Sequence, residues 1–163
     1  MEQLSFGIAF TCYTVGMTLH LGYALTRRNN LARLGHGILW VAVISHLISL
    51  GFRTYYARQV PQHSWYVPWS NWFESFSFFS VVITIQYLII QRRYSVPILG
   101  AFVIPLAWIS MIVALNSPFG IQIPNLQPAL QSYWMAIHVP VMFIAYAAFA
   151  NAFAIGLAYL IQE

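Results

Sequence analysis

Five long apolar runs divide the chain. They cover approximately residues 4–25, 34–52, 73–90, 96–115 and 139–161, with polar or aromatic segments between them. A helix needs about 20 mostly apolar residues to cross a hydrocarbon core of roughly 30 Å. The runs are too long for barrel strands of about ten residues, and a spanning backbone must satisfy its own hydrogen bonds, so all five are predicted as helices. The expected fold is an all-α integral membrane protein of about five transmembrane helices, a single transmembrane domain over residues 1–163. The last run departs from the pattern. From Tyr133 to Ile161 it continues for 29 residues, about 44 Å as a straight helix, and Pro140 interrupts it. Counting about 20 residues back from its end sets the edge of the core near Met142. His138 is then roughly 6 Å outside, and residues 129–138 become a candidate surface helix.

The polar segments supply a direction. Arg27, Arg28, Arg33, Arg92 and Arg93 fall between runs one and two and between runs three and four, whereas only Arg53 and Arg58 fall on the opposite side. Five arginines against two place the first set inside, the N-terminus outside and the C-terminus inside. The two outer loops are long and rich in aromatic residues and proline. Trp65, Trp69 and Trp72 suit an aromatic belt at headgroup level. Composition agrees: 60% of residues are hydrophobic and 6% are charged, against about a quarter charged in soluble domains. Soluble domains, disordered chains and nucleic-acid binders are disfavoured, and no nucleic-acid partner is expected. The chain stops at Glu163, directly after the fifth run, and reads as the N-terminal half of a longer protein. There is no internal repeat or flexible linker.

Candidate chemistry is sparse. Cys12 is the single cysteine; with no partner and no CxxC pattern it reads as a small apolar residue. No Ser-His-Asp set, HExxH or glycine-rich phosphate loop is present. Histidine is the main resource. His138 has the most suggestive surroundings, because Met135, His138, Met142, Tyr146 and Phe149 fall on one helical face at steps of three and four. A neutral imidazole there can ligate haem iron while the stripe packs the macrocycle; the competing reading is a histidine capping a helix turn beside ordinary packing. His46 is expected to make an interhelical hydrogen bond. His20 and His36 lie on adjoining spans and could meet, and His63 is expected in an outer loop. Asn71 and Glu74 read as a helix N-cap and its capping-box partner. Arg53 and Arg58 are candidates to bind carboxylates or lipid phosphates. Ala150, Ala154 and Ala158, with Ala148, Ala152 and Gly156 beside them, suggest a close helix-packing face.

Two stretches carry a resemblance. Residues 68–80, PWSNWFESFSFFS, resemble the P-x-S-N-x-Y-E-S-L-x-F stretch of cytochrome c biogenesis proteins of the CcsA/ResC type, from system II. Residues 124–160 resemble the segment of the same proteins containing L-x-P-A-L-Q-S-x-W-x-x-x-H-V. The second match is more specific, preserving Leu130, Gln131, Ser132, Trp134, His138, Val139 and Tyr146 together. The resemblance covers residues 40–163; residues 1–39 match only as a span and a basic loop. Phe73 and Phe76 stand where the family pattern has Tyr and Leu.

The resemblance implies a component of the c-type cytochrome biogenesis machinery that handles haem b, as ligand and substrate, at the outer membrane face. It implies a CcsB/ResB-type membrane partner and an apocytochrome c whose CxxCH cysteines form thioether bonds to the haem vinyls. His138 matches the family's first external haem-ligating histidine, so His138 is the expected axial ligand, binding haem iron and no other metal, with Trp134, Met135, Met142 and Tyr146 around it. The family's tryptophan-rich WWD segment and second external histidine lie beyond the residues present, and no inner haem ligand is transferred to His20, His36 or His46. The chain would then form part of a haem lyase without being active alone, in a bacterial cytoplasmic membrane or a thylakoid. Rival readings are a CcmC-like or HemX-like haem-handling protein without synthase activity, a small transporter, and an assembly scaffold.

Overall fold

A computed structural model describes residues 1–59, 66–117 and 132–162. It contains five long helices: α1 (Glu2–Thr26), α2 (Asn29–Arg58), α3 (Trp72–Tyr94), α4 (Gly100–Leu115) and α5 (Tyr133–Gln162). A 3₁₀ turn, Pro97–Leu99, leads into α4. All five helical segments are long and apolar enough to cross a membrane, and no strand occurs among the described residues. Several helices run past their apolar cores. Helix α2 begins at Asn29 and ends at Arg58, because polar residues flanking a span can stay helical while only the apolar part needs lipid.

The connections are short where the sequence is basic. Arg27 takes a left-handed conformation, φ 56°, and its N–H closes α1 onto the Tyr23 carbonyl. Ser95 does the same after α3, with φ 53° and a bond to the Gln91 carbonyl. Proline follows at the first position of the 3₁₀ turn, where a missing N–H costs nothing. Helices α1 and α2 therefore pack antiparallel, as do α3 and α4. Helix α4 contacts α1 and α3, and α5 rests on α3 and α4. Close approach relies on glycine: a Cβ on Gly35 would lie 2.7 Å from the His20 ring, and one on Gly100 would overlap both that ring and the Tyr87 hydroxyl. Polar bonds add to this packing, as small and polar residues do between spans. Trp108 Nε1 donates to Thr14 Oγ1 at 2.9 Å, and Ser110 Oγ donates to the Phe76 carbonyl at 2.7 Å.

The fifth helix is unbroken. Pro140 lies within α5, so residues 133–138, expected as part of a surface helix, form the first turns of the span helix itself; residues 129–131 lie outside the described residues. The face of α5 against the bundle consists of Ala147, Asn151, Ala154 and Ala158, all buried. Ala148, Ala152 and Gly156, expected to share the packing face, are exposed. Asn151 explains the shift. Its Nδ2 lies 3.4 Å from both the Ile83 carbonyl and Gln86 Oε1, and Gln86 Nε2 donates to the Ile144 carbonyl at 2.8 Å. Those bonds turn the Asn151 face toward α3.

Candidate functional site

Several polar contacts converge on the start of α3. Asn71 is the N-cap, and its Oδ1 accepts from the Glu74 N–H at 3.0 Å, as the spacing predicts. The reciprocal half differs. Glu74 Oε2 accepts from the Ser70 N–H at 2.8 Å, one residue before the cap, because its other oxygen is held by Arg53. Arg53 Nε donates to Glu74 Oε1 at 2.6 Å and Arg53 Nη1 to Glu2 Oε1 at 2.8 Å. Arg53 is 1% and Glu74 0% exposed. Arg53 is thus no surface partner for lipid phosphate; it is a buried cation between two carboxylates, stacked over Phe73 at 4.9 Å. The triad ties the start of α1, the end of α2 and the start of α3 into one corner. Arg58 Nε donates to the Tyr66 carbonyl at 3.0 Å and fastens the same end.

The loop before α3 joins this corner to α5. Trp69 is half-buried, its ring 5.0 Å from Phe78, and its Nε1 donates to the Met135 carbonyl at 3.4 Å. The chain's two distinctive stretches therefore touch: the Asn71–Glu74 start of α3 lies beside the first turns of α5. Phe143 continues the seam against Phe78 at 5.6 Å and Phe79 at 5.9 Å. Next to it, Phe76, Phe79, Phe143 and Tyr146 line an apolar crevice of about 390 Å³.

His138 is exposed at the same end of α5. Its ring stacks on Trp134, with centroids 6.1 Å apart and planes 15° apart. It makes no hydrogen bond to another described residue. Of the predicted stripe, Met135 and Met142 are half-buried, whereas Tyr146 and Phe149 are 51% and 70% exposed. The stripe faces the bundle rim and opens outward. Leu130, Gln131, His63 and Trp65 lie outside the described residues.

The other described histidines, His20, His36 and His46, have structural partners. His46 Nε2 and Ser77 Oγ are 2.6 Å apart, an α2–α3 hydrogen bond, with Phe6 and Tyr13 edge-on to the ring. His20 Nδ1 bonds the Gly16 carbonyl of its own helix at 2.8 Å and meets the Tyr87 ring edge. His36 Nε2 instead accepts from Trp40 Nε1. His20 and His36 share no bond, and no group of three or more metal-ligating side chains occurs among the described residues. Sequence reasoning missed the Arg53 triad and Trp69. A signal existed for the first, because Arg53 and Glu74 occupy the same end of adjoining spans and each needs a counter-charge.

Residues 69–163 match the family model described as Cytochrome C assembly protein. A protein named Cytochrome c biogenesis protein CcsA from Trichodesmium erythraeum is 33% identical over 163 residues, 99% of this chain and 44% of that protein. Its namesake from Prochlorococcus marinus subsp. pastoris is 38% identical over 87 residues, 52% of this chain and 28% of that protein. A third, from Nostoc sp., is 35% identical over 98 residues, 59% of this chain and 28% of that protein. The chain thus spans less than half the length of these relatives. No solved structure matches it.

Proposed function

The chain belongs to the Cytochrome C assembly protein family, and from that premise we propose that it serves c-type cytochrome biogenesis by holding haem at the end of the bundle where His138 begins α5. The observation that carries this reading is the state of the His138 ring: exposed, stacked on Trp134 and engaged in no hydrogen bond to another described residue. The porphyrin supplies four nitrogens, so haem iron asks the protein only for axial ligands. A lone imidazole beside aromatic surface fits that need.

Each remaining residue has a positioning task. Trp134 fixes the imidazole plane. Met135, Met142 and Tyr146 offer soft and aromatic surface along the same rim, and the crevice beside Tyr146 accepts apolar groups. The Trp69 bond to the Met135 carbonyl holds the first turn of α5 against the α3 start. The Arg53 triad keeps that start rigid, so the ligand rests on a supported element. Haem, as substrate, would contribute the vinyl groups that receive the cysteine thiols of apocytochrome c. This chain contributes no thiol to that step, since Cys12 lies within α1, partly buried against the core. Haem b as the species, a CcsB/ResB-type partner, and a bacterial cytoplasmic or thylakoid membrane with this end outside complete the proposal.

The test is haem retention. The chain is expressed in haem-replete membranes, purified in neutral detergent and examined by absorption spectroscopy beside His138→Ala and His138→Gly. We expect haem content to fall at least several-fold in both variants, and the glycine variant to regain a Soret band when imidazole is added. Equal haem content and an unchanged spectrum in His138→Ala would overturn the assignment.

A further inference from the structure

The opposite end of the bundle holds a cleft of about 490 Å³ between the first turns of α2 and the last turn of α3. Asn29, Arg33 and His36 line one wall; Gln91, Arg92 and Ser95 line the other. Its polar atoms are left incomplete by the protein. Trp40 Nε1 donates to His36 Nε2 at 3.2 Å. An indole N–H only donates, so Nε2 is the accepting nitrogen and the proton of the neutral ring is on Nδ1. That Nδ1 is buried with no partner among the described residues, and Gln91 Oε1 is buried and equally unpaired. A buried donor and a buried acceptor in one cleft are costly to leave unmade. A ligand that accepts from His36 and donates to Gln91 satisfies both.

Charge narrows the ligand further. The guanidinium groups of Arg33 and Arg92 flank the cleft, and neither is ion-paired among the described residues. Helix α2 starts here with no side-chain cap and no acidic residue in its first turn, so its positive end is also uncompensated. Glu2 and Glu74, the carboxylates of the described residues, are at the far end of the bundle. No carboxylate among the described residues lies at this end to match that charge. Leu34 and Tyr94, next in sequence to the lining arginines or close to them, are 60% and 69% exposed and offer surface for acyl chains.

We propose that this cleft binds the headgroup of an anionic, hydroxyl-bearing glycerophospholipid. The phosphate oxygens accept from Arg33, Arg92 and His36 Nδ1, and a headgroup hydroxyl donates to Gln91. Arginine pairs with phosphate through parallel N–H bonds, and basic pockets between membrane helices select anionic headgroups.

The probe is dioctanoyl phosphatidylglycerol, titrated into the purified chain in neutral detergent and followed by native mass spectrometry. Dioctanoyl phosphatidylcholine and inorganic phosphate are titrated in parallel. Two double variants are compared: R33Q/R92Q, in the cleft, and R27Q/R93Q, which removes equal charge at the same end outside it. We expect saturable phosphatidylglycerol binding, weakened about tenfold or more by R33Q/R92Q relative to R27Q/R93Q, and weakened again by His36→Phe. Far-UV circular dichroism confirms that each variant retains its helices. Equal loss in the two double variants reduces the effect to general surface charge and overturns the site. So does equal binding of phosphatidylcholine, displacement by inorganic phosphate at the same concentration, or absence of binding.

Discussion

Replacing Arg53 should damage the fold more than replacing either of its partners. Arg53→Met leaves Glu74, which is 0% exposed, as a buried carboxylate without its cation, and removes the stack on Phe73. Breaking a buried pair in this way costs about 3–5 kcal/mol, most of it from the charge left behind. Glu74→Gln keeps an oxygen for Arg53 but turns its NH2 toward the Ser70 N–H that Oε2 accepts from, a loss of about 1–3 kcal/mol that stays below the arginine's because Glu2 still compensates the guanidinium. Glu2 is 17% exposed, so water screens it and Glu2→Gln should cost less than about 1 kcal/mol. The decisive variant is R53M/E74M. It removes the cation and the fully buried anion together, and should be more stable than R53M alone despite carrying an extra substitution. Stability is read as loss of helical circular dichroism while sodium dodecyl sulfate is titrated into the protein in neutral detergent. If R53M/E74M is less stable than R53M by the full additional cost of E74M, the triad is not an electrostatic unit.

Two further predictions test the packing. Gly35→Ala drives a methyl into the His20 ring at 2.7 Å and should cost about 1–3 kcal/mol through overpacking, whereas Gly37→Ala, with nothing within 4 Å, should be neutral or stabilise by up to about 1 kcal/mol; the same denaturation titration separates them. Ser77→Ala and His46→Phe should each lower stability, and a double-mutant cycle should return a coupling near 0.6 kcal/mol, about the average for bonds between membrane helices; additive losses would show that the 2.6 Å contact contributes nothing in solution.

Much of the architecture was legible in the linear pattern, because a membrane span is a statement about length and hydropathy and needs no knowledge of partners. The five helices and the Asn71 cap follow from local chemistry of that kind. His46 bonding across helices also followed, since a polar side chain inside a span has few alternatives. What stayed hidden depends on which helices touch. Nothing local to Glu2 marks it as a partner of Arg53, which by itself reads as a candidate for external carboxylates or lipid phosphates; the pairing exists only because α1, α2 and α3 meet at one corner. The stripe of Ala150, Ala154 and Ala158 does face the bundle, but the sequence did not separate it from the neighbouring Ala148, Ala152 and Gly156, which are exposed; Asn151 and Gln86 mark the buried side by bonding across the contact. Pro140 suggested a break, but only the residues around it determine whether a helix continues through proline. Trp69 looked like part of an aromatic belt, and its bond to α5 had no signature in sequence spacing.

The Arg53 triad also has an electrical consequence. Arg53 and Arg58 at one end are balanced in formal side-chain charge by Glu2 and Glu74, whereas Arg27, Arg28, Arg33, Arg92 and Arg93 at the other end face no carboxylate among the described residues. Counted over the described residues, the folded chain is therefore polarised lengthwise, with five positive side-chain charges at one pole and none in excess at the other. Moving one elementary charge across a membrane potential is worth about 2.3 kcal/mol per 100 mV. A potential negative on one side thus acts on this molecule as a voltmeter needle, favouring the arginine pole on that side and holding the His138 pole away from it. By cancelling the arginine buried at the wrong pole, Glu2 and Glu74 sharpen that bias as well as supporting the corner where α5 begins.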